Sequence, residues 1–245
     1  MTPSPMDRFD PGLQSFDADG IALVFGASGG IGSALLGALA EAGHFGETIG
    51  FARDTPVPID LTDEASLARA VDFAAGRGDI RLAIDATGFL HDADGGPEKS
   101  WHQLDADRLA RAFALNAIGP AMLMKHLLPR LPRSGKSVFA TLSARVGSIG
   151  DNRLGGWYAY RASKAALNQI VRTASIELAR RAPGAVCVAL HPGTVATALS
   201  APFARPGPSV HAPADAARHL LAVVDRLEAG DTGGFFDWRG VPIPW

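Results

Sequence analysis

Residues 21–32 read Ile-Ala-Leu-Val-Phe-Gly-Ala-Ser-Gly-Gly-Ile-Gly, and this stretch decides the fold. The apolar run Ile21–Phe25 is typical of a strand buried on both faces, as in parallel sheets covered by helices. The glycines end that strand and open a helix over residues 29–42, in which Ile31 and Leu35 lie one turn apart. The stretch therefore predicts a strand, a tight turn and a helix at the start of an α/β domain.

Strand and helix patterns alternate along the rest of the chain. The predicted strands are residues 48–52, 80–86, 137–142, 185–190 and 234–237, and the predicted helices are residues 63–75, 105–131, 158–180 and 212–229. We expect Thr62 to cap the second helix. The alternation predicts a doubly wound parallel sheet with helices on both faces.

The segment after the second strand departs from a complete sheet of this kind. Four residues separate Ala52 from residues 57–60, whereas neighbouring parallel strands need a crossover of about a dozen residues or more. Pro56 and Pro58 also lack the N–H group that a central strand donates. We therefore expect the third strand of the sheet to be degenerate or missing.

Composition limits the classes of protein that the chain can belong to. Of its 245 residues 47% are hydrophobic, which is enough for a full core, and the net charge of −2 predicts no binding to nucleic acid. No apolar run reaches the roughly 18 residues of a membrane span. The single cysteine, Cys187, cannot form an internal disulfide, so we expect a cytoplasmic protein. The histidines lack ligand spacing, and no metal site is predicted.

The same composition predicts one folded domain over residues 20–245. Residues 1–19 are rich in Pro, Asp and Ser and lack the apolar core of a signal peptide. We interpret them as a flexible leader.

The glycine-rich turn predicts a phosphate site. Glycines let the backbone approach a pyrophosphate, which sits on the N-terminus of the following helix, although such a turn can also exist without a ligand. Arg53 follows the second strand, where an arginine favours a ribose 2′-phosphate and an acid favours the free hydroxyl. NADP(H) is therefore favoured over NAD(H). Asp60 and Leu61 fall where a turn contacting adenine is expected, or they simply start the next helix.

Tyr160 and Lys164 open the long helix and share one of its faces because they are four residues apart. A phenol with a pKa near 10 is a poor base, and a nearby ammonium lowers that pKa. Such a pair can exchange a proton with a substrate oxygen while a nicotinamide carries a hydride. Tyr158 lacks this partner, because Ala162 stands four residues after it.

From residue 21 to residue 245 the order of these motifs resembles the short-chain dehydrogenase/reductase family, which implies a single-domain Rossmann fold. The resemblance implies that Asn116 kinks the long helix and holds a proton-relay water. It implies that residues 85–88 replace an Asn-Asn-Ala-Gly element and that residues 191–197 contact the nicotinamide. The expected cofactor-binding residues are Gly26, Ser28, Gly29, Gly30, Ile31, Gly32, Arg53, Asp60, Leu61, Ala86, Thr87, Gly88, Tyr160, Lys164, Pro192, Gly193, Val195 and Thr197.

Within the family, residues 143–149, 155–164 and 233–238 resemble the branch that contains sniffer-type carbonyl reductases and the bacterial C-factor. The family's catalytic serine lies three residues before a glycine, and counting back from Gly147 gives Ala144. We expect Ser143 to act instead, with Ser148 as the alternative, by polarising the substrate carbonyl.

The resemblance implies a homodimeric or homotetrameric enzyme that interconverts a small-molecule carbonyl and an alcohol. Tyr160, Lys164, Ser143 and Asn116 are its expected catalytic residues. The alternative is a nucleotide-binding signalling or regulatory protein of the C-factor type with little turnover. Ala144 and the altered residues 85–88 favour that alternative.

Overall fold

The computed structural model describes residues 12–92, 95–203 and 210–245. Within these ranges one parallel sheet forms, with the strand order β2-β1-β3-β4-β5-β6. The strands are β1 (Ile21–Phe25), β2 (Glu47–Phe51), β3 (Ile80–Asp85), β4 (Ser137–Leu142), β5 (Ala185–His191) and β6 (Phe235–Asp237). The helices are α1 (Gly30–Ala42), α2 (Glu64–Ala75), α3 (Ala106–Phe113), α4 (Gly119–Leu127), α5 (Tyr158–Arg181) and α6 (Pro213–Arg226).

Alternate residues of each strand enter two apolar layers, one on each face of the sheet. Phe139 and Cys187 pack with residues of α2, α4 and α5, whereas Val138 and Val186 pack with residues of α1 and α6. This alternation follows from the two-residue period of a strand. The predicted doubly wound sheet with helices on both faces is confirmed.

The loop over residues 52–63 replaces the missing strand. The Ile59 N–H donates to the Ala52 carbonyl at 3.1 Å, so the chain turns back at the end of β2 and continues into α2. The predicted loss of the third strand is confirmed. The predicted cap is wrong, because Asp63 caps α2 by accepting from the Ala65 N–H, and the Thr62 hydroxyl donates to Asp60.

The predicted long helix over residues 105–131 is interrupted. A π-helical turn, Ala114–Ile118, separates α3 from α4 and contains the buried Asn116. A π turn deflects a helix and is frequent at functional sites. Asn116 thus lies where the long helix is interrupted, and the kink expected there stays a prediction.

Part of the predicted leader belongs to the domain. Leu13 is fully buried and Phe16 nearly so, both in the layer of α1 and α6. The Lys136 ammonium lies 4.6 Å from the centroid of the Phe16 ring, and the Ser15 hydroxyl donates to Asp225. The flexible leader predicted over residues 1–19 is therefore wrong for residues 12–19, and residues 1–11 lie outside the described ranges.

Within the described ranges, every helix is too short or too polar to cross a membrane.

We expect Leu13→Ala to lower the free energy of unfolding by about 2–5 kcal/mol, because it leaves a cavity in the core. Urea denaturation measures the change. Gln14→Ala, at an exposed neighbour, serves as the control and should change the free energy by less than about 0.5 kcal/mol. Equal effects of the two substitutions would show that Leu13 is not part of the core.

Candidate active site

The strand order reverses at β1, and a cleft opens there at the carboxyl ends of the strands. Ligands of doubly wound sheets bind at such a reversal. The cleft, called the main cleft below, has a volume of about 580 Å³. The predicted cofactor residues that line it are Gly26, Ser28, Gly29, Arg53, Asp60, Leu61, Ala86, Thr87 and Gly88.

The glycine-rich turn leaves no room for side chains beside the backbone. Gly26 has a φ of +81°, and a Cβ added to Gly32 would lie 2.0 Å from the Gly26 carbonyl oxygen. A Cβ on Gly30 would lie 2.8 Å from Thr197 Cγ2, so the structure brings Thr197 to the turn. The turn and the N-terminus of α1 thus form a cradle that fits a dinucleotide pyrophosphate.

Arg53 and Asp60 lie together at the β2 end of the main cleft. Asp60 accepts hydrogen bonds from the Thr62 hydroxyl at 2.7 Å and the Thr62 N–H at 2.8 Å. These bonds, and to a smaller extent the positive charge of Arg53, lower the pKa of Asp60. Asp60 therefore shapes the loop, and the exposed Arg53 guanidinium remains beside the cleft.

Residues 192–197 run from the end of β5 toward the glycine-rich turn. Gly193 has a φ of +81°, and a Cβ there would lie 3.0 Å from both His211 and Trp238. Val195 is buried and forms a bridge with His211. The structure thus brings Thr197 to the turn, whereas Pro192 and Gly193 lie directly after the end of β5. Among the described residues, no three His, Cys, Asp or Glu are grouped to hold a metal ion.

Lys164 is buried beneath Tyr160 on α5. Its ammonium donates to the Leu142 carbonyl at 2.7 Å and lies 6.0 Å from the centroid of the Tyr160 ring. A Cβ on Gly147 would lie 2.8 Å from Lys164 Cβ, so glycine lets the loop after β4 cover the lysine. Burial lowers the pKa of Lys164 to about 8, although the carboxylate of Asp85 opposes the shift.

The pKa of the Tyr160 phenol is shifted in the opposite direction. Burial raises the pKa of Tyr160 to about 12, because a low dielectric disfavours the phenolate. In the free protein, burial therefore outweighs the lowering of this pKa that was predicted from Lys164. At neutral pH Tyr160 carries its proton, which suits a donor to a carbonyl oxygen.

Asn116 connects the interrupted helix to the loop that follows β3. Its Oδ1 accepts from the Phe89 N–H at 2.7 Å, and its Nδ2 donates to the Phe89 carbonyl and to the Ser163 hydroxyl. A Cβ on Gly88 would lie 3.8 Å from both Asn116 Oδ1 and Lys164 Nζ. The structure thus brings Asn116 next to Lys164, and its role in a proton relay stays a prediction.

Asp85 is a buried acid that sequence reasoning missed. It is fully buried, and its carboxylate accepts from the Thr87 N–H at 3.1 Å and from the Thr141 hydroxyl at 2.8 Å. Burial raises the pKa of Asp85 despite these bonds, and its charge opposes the lowering at Lys164. An ionisable residue at the end of an apolar strand was the available signal.

The two predicted serines do not reach the main cleft. The Ser143 hydroxyl donates to Asn168 Oδ1 at 2.6 Å and is nearly inaccessible, at 4% exposed. Ser148 is 1% exposed, and its hydroxyl donates to the Pro244 carbonyl. The donor proton of each hydroxyl is therefore committed to a protein acceptor. This geometry does not support Ser143, or Ser148 in its place, as the catalytic serine, and that role stays a prediction.

The strand period explains the orientation of Ser143. In β4, Phe139 lies on the α5 face, and Thr141 and Ser143 follow it at two-residue intervals. Residues two apart on a strand share a face, so Ser143 points into the packed interface with α5. Ala144 follows at the end of the strand and is partly exposed. The position where the family's serine is expected thus carries a methyl group.

Aromatic side chains surround the start of α5. The Trp157 ring lies 6.2 Å from the ring of Tyr160 and 5.4 Å from that of Phe203. Phe203 in turn lies 5.3 Å from His91, a residue of the main cleft. This apolar wall beside Tyr160 was not predicted, because its members are distant in sequence.

Comparisons with known proteins agree with this geometry. A family model described as enoyl-(acyl carrier protein) reductase matches residues 18–235. C-signal of Myxococcus xanthus is 42% identical over 142 residues, which cover 58% of this chain and 81% of C-signal. The 1-hydroxy-2-glutathionyl-2-methyl-3-butene dehydrogenase of Rhodococcus sp. (strain AD45) is 36% identical over 143 residues, covering 58% of this chain and 61% of that enzyme.

A solved structure shares the fold over nearly the whole chain. The NADPH-bound carbonyl reductase from chicken fatty liver superposes with a TM-score of 0.82 at 25% identity. The superposition covers 96% of this chain and 98% of that one.

Substitutions at positions 143 and 144 test the placement of the hydroxyls. We expect Ser143→Ala to lower kcat for carbonyl reduction by less than about tenfold, whereas loss of a polarising donor costs about 10²–10³-fold. Ala144→Ser adds a hydroxyl at the partly exposed position and is expected to raise kcat. Steady-state oxidation of NADPH measures both effects. A hundredfold loss in Ser143→Ala would restore Ser143 as the catalytic serine.

Proposed function

Since the chain belongs to the short-chain dehydrogenase/reductase family, we propose that it interconverts a small-molecule carbonyl and an alcohol, with Tyr160 as the acid and base. The observation that carries the proposal is the position of Lys164, buried under Tyr160 and hydrogen-bonded to the end of β4. An ammonium in such surroundings is costly to bury and needs a compensating role. Tyr160 can donate a proton to the substrate, and Lys164 can replace that proton afterwards.

The cofactor and the side chains of the site supply different parts of the reaction. A bound nicotinamide supplies the hydride that reaches the carbonyl carbon. Tyr160 gives its phenolic proton to the substrate oxygen as negative charge develops there. Lys164, with a pKa of about 8, stabilises the phenolate that remains and exchanges protons near neutral pH. Asn116 holds the loop after Gly88 against this lysine.

NADP(H) is the cofactor that we propose in preference to NAD(H). The cradle of Gly26, Gly30 and Gly32 fits the pyrophosphate, which both cofactors share. Arg53 supports the choice because it lies at the cleft end where β2 stops, and a guanidinium there favours a 2′-phosphate. The chicken reductase that shares this fold binds NADPH.

A regulatory role with little turnover is the second candidate. Two observations favour it: the 42% identity to C-signal and the methyl group of Ala144 where a polarising hydroxyl is expected. The pairing of Tyr160 with the buried Lys164 favours the enzyme, since a purely regulatory nucleotide-binding protein needs neither a proton donor nor a group that restores its proton.

Assembly as a homodimer or homotetramer is part of the proposal. A groove of about 500 Å³ lies between α4 and α5 and includes Met124, Ile170 and Ala174. Leu167 and Val171, on the same helix, are fully buried in the core, so the outer residues of α5 would form the contact between subunits.

Location in the cytoplasm stays a prediction.

Turnover with a panel of aldehydes, ketones and quinones tests the enzyme directly. We expect NADPH-dependent reduction that falls by about 10²–10⁴-fold in Tyr160→Phe, because the proton donor is lost. Tyr158→Phe removes a neighbouring phenol and should retain activity. If the wild-type protein binds NADPH but reduces none of the panel, or if Tyr160→Phe remains fully active, the proposed chemistry is wrong.

Binding titrations followed by nicotinamide fluorescence test the choice of cofactor. We expect Arg53→Ala to raise the Kd for NADPH about 10- to 100-fold, which corresponds to the loss of a charged hydrogen bond. The Kd for NADH should stay unchanged. Arg180 is exposed at the far end of α5, and Arg180→Ala changes the net charge by the same amount. This control should leave the Kd values for NADPH and NADH unchanged. Equal weakening of NADPH and NADH by Arg53→Ala would remove the case for NADP(H).

A further inference from the structure

Helix α5, which carries Tyr160, begins without a capping side chain of its own. Its N-cap is Trp157, whose backbone has a φ of 54° after two left-handed glycines, Gly155 and Gly156. A bulky residue in the left-handed region is strained, and the first N–H groups of a helix need acceptors from elsewhere. Something outside the helix must therefore hold this turn in place.

Glu98 supplies those acceptors from a distant loop. Its backbone carbonyl accepts from the Trp157 N–H, and its carboxylate Oε2 accepts from the Ala159 N–H at 3.1 Å. One glutamate thus holds the residue before the helix and the residue directly before Tyr160. A carboxylate is also favoured at the positive end of a helix dipole.

The cost of burying Glu98 indicates more than a surface cap. Its side chain is 3% exposed, and its second oxygen, Oε1, has no hydrogen-bond partner among the described residues. A buried carboxylate with an unsatisfied oxygen is unfavourable and rare. Glu98 and Tyr160 both line a small cavity of about 10 Å³, so the two residues lie near each other.

We propose that Glu98 is a positioning residue, which fixes the first turn of α5 so that the Tyr160 side chain keeps its place and stays aimed at the substrate. This inference rests on the proposed function for the role of Tyr160 as the acid. The position of Tyr160 can be followed without a substrate, because the surroundings of the phenol determine how easily it ionises.

The chain contains two tyrosines, so Tyr158→Phe leaves Tyr160 as the only phenol. In that background, absorbance at 295 nm reports the ionisation of Tyr160 alone. We expect Glu98→Ala to move the Tyr160 pKa from about 12 toward the value near 10 of an exposed phenol. We also expect kcat to fall about 10- to 100-fold, as for a misplaced catalytic group, with an unchanged Kd for NADPH.

Glu98→Gln is the rescue variant, because its side-chain carbonyl still accepts from the Ala159 N–H. It should restore the Tyr160 pKa and kcat. Asp63→Ala is the matched control, since it removes the carboxylate cap of α2 and should lower Tm without moving either readout.

The outcomes separate this proposal from the proposed function. If Glu98→Ala lowers Tm as Asp63→Ala does but leaves the Tyr160 pKa and kcat unchanged, Glu98 is a structural cap and the proposal is overturned. If Glu98→Ala does not fold, Glu98→Asp, whose shorter side chain withdraws from Ala159, must show the lowered pKa or the proposal fails. If the wild type turns over no carbonyl while Glu98→Ala still shifts the pKa and Glu98→Gln restores it, the positioning role stands and the proposed function does not.

Discussion

The burial of one ammonium group, that of Lys164, is the constraint on which the site depends. A lysine side chain that is 3% exposed must find acceptors inside the protein, and it finds the Leu142 carbonyl at the end of β4 and the charge of Asp85 at the end of β3. Two glycines, Gly88 and Gly147, leave the space for it. The ends of β3 and β4, the loop after β4 and the start of α5 thus share one arrangement, because each of them contacts or surrounds the Lys164 side chain.

Tyr160 and Lys164 acquire opposite shifts from the same surroundings. Burial disfavours the charged form of each, so the phenol keeps its proton to a higher pH and the ammonium loses its proton at a lower one. The result is a proton donor beside a group that titrates near physiological pH. This pairing suits reduction of a carbonyl, in which the enzyme must deliver a proton and then recover it from solvent. Position 144, where the family's polarising serine is expected, carries an alanine.

Local patterns were sufficient to predict the architecture. The apolar strands, the glycine-rich turn and the lost third strand all follow from spacing along the chain, and the Tyr160 and Lys164 pair follows from the helical period. The orientation of Ser143 was not predicted, because it depends on where β4 stops, and a shift of one residue changes the face. Glu98 was missed because its partner Ala159 is 61 residues away. Leu13 and Phe16 were assigned to a leader because two isolated apolar residues form no periodic pattern.

The site around Tyr160 depends on a buried lysine, Lys164, whose pKa is lowered to about 8. The direct test is a ¹³C NMR titration of the lysine side chains, of which the chain has four: Lys99, Lys125, Lys136 and Lys164. Lys164→Met assigns the signal. We expect the assigned resonance to titrate with a pKa of about 8, far below the value of about 10.4 that is usual for a lysine side chain in water. A Lys164 resonance that titrates near 10.4 would show that the ammonium is solvated, and the site described for Tyr160 would be contradicted.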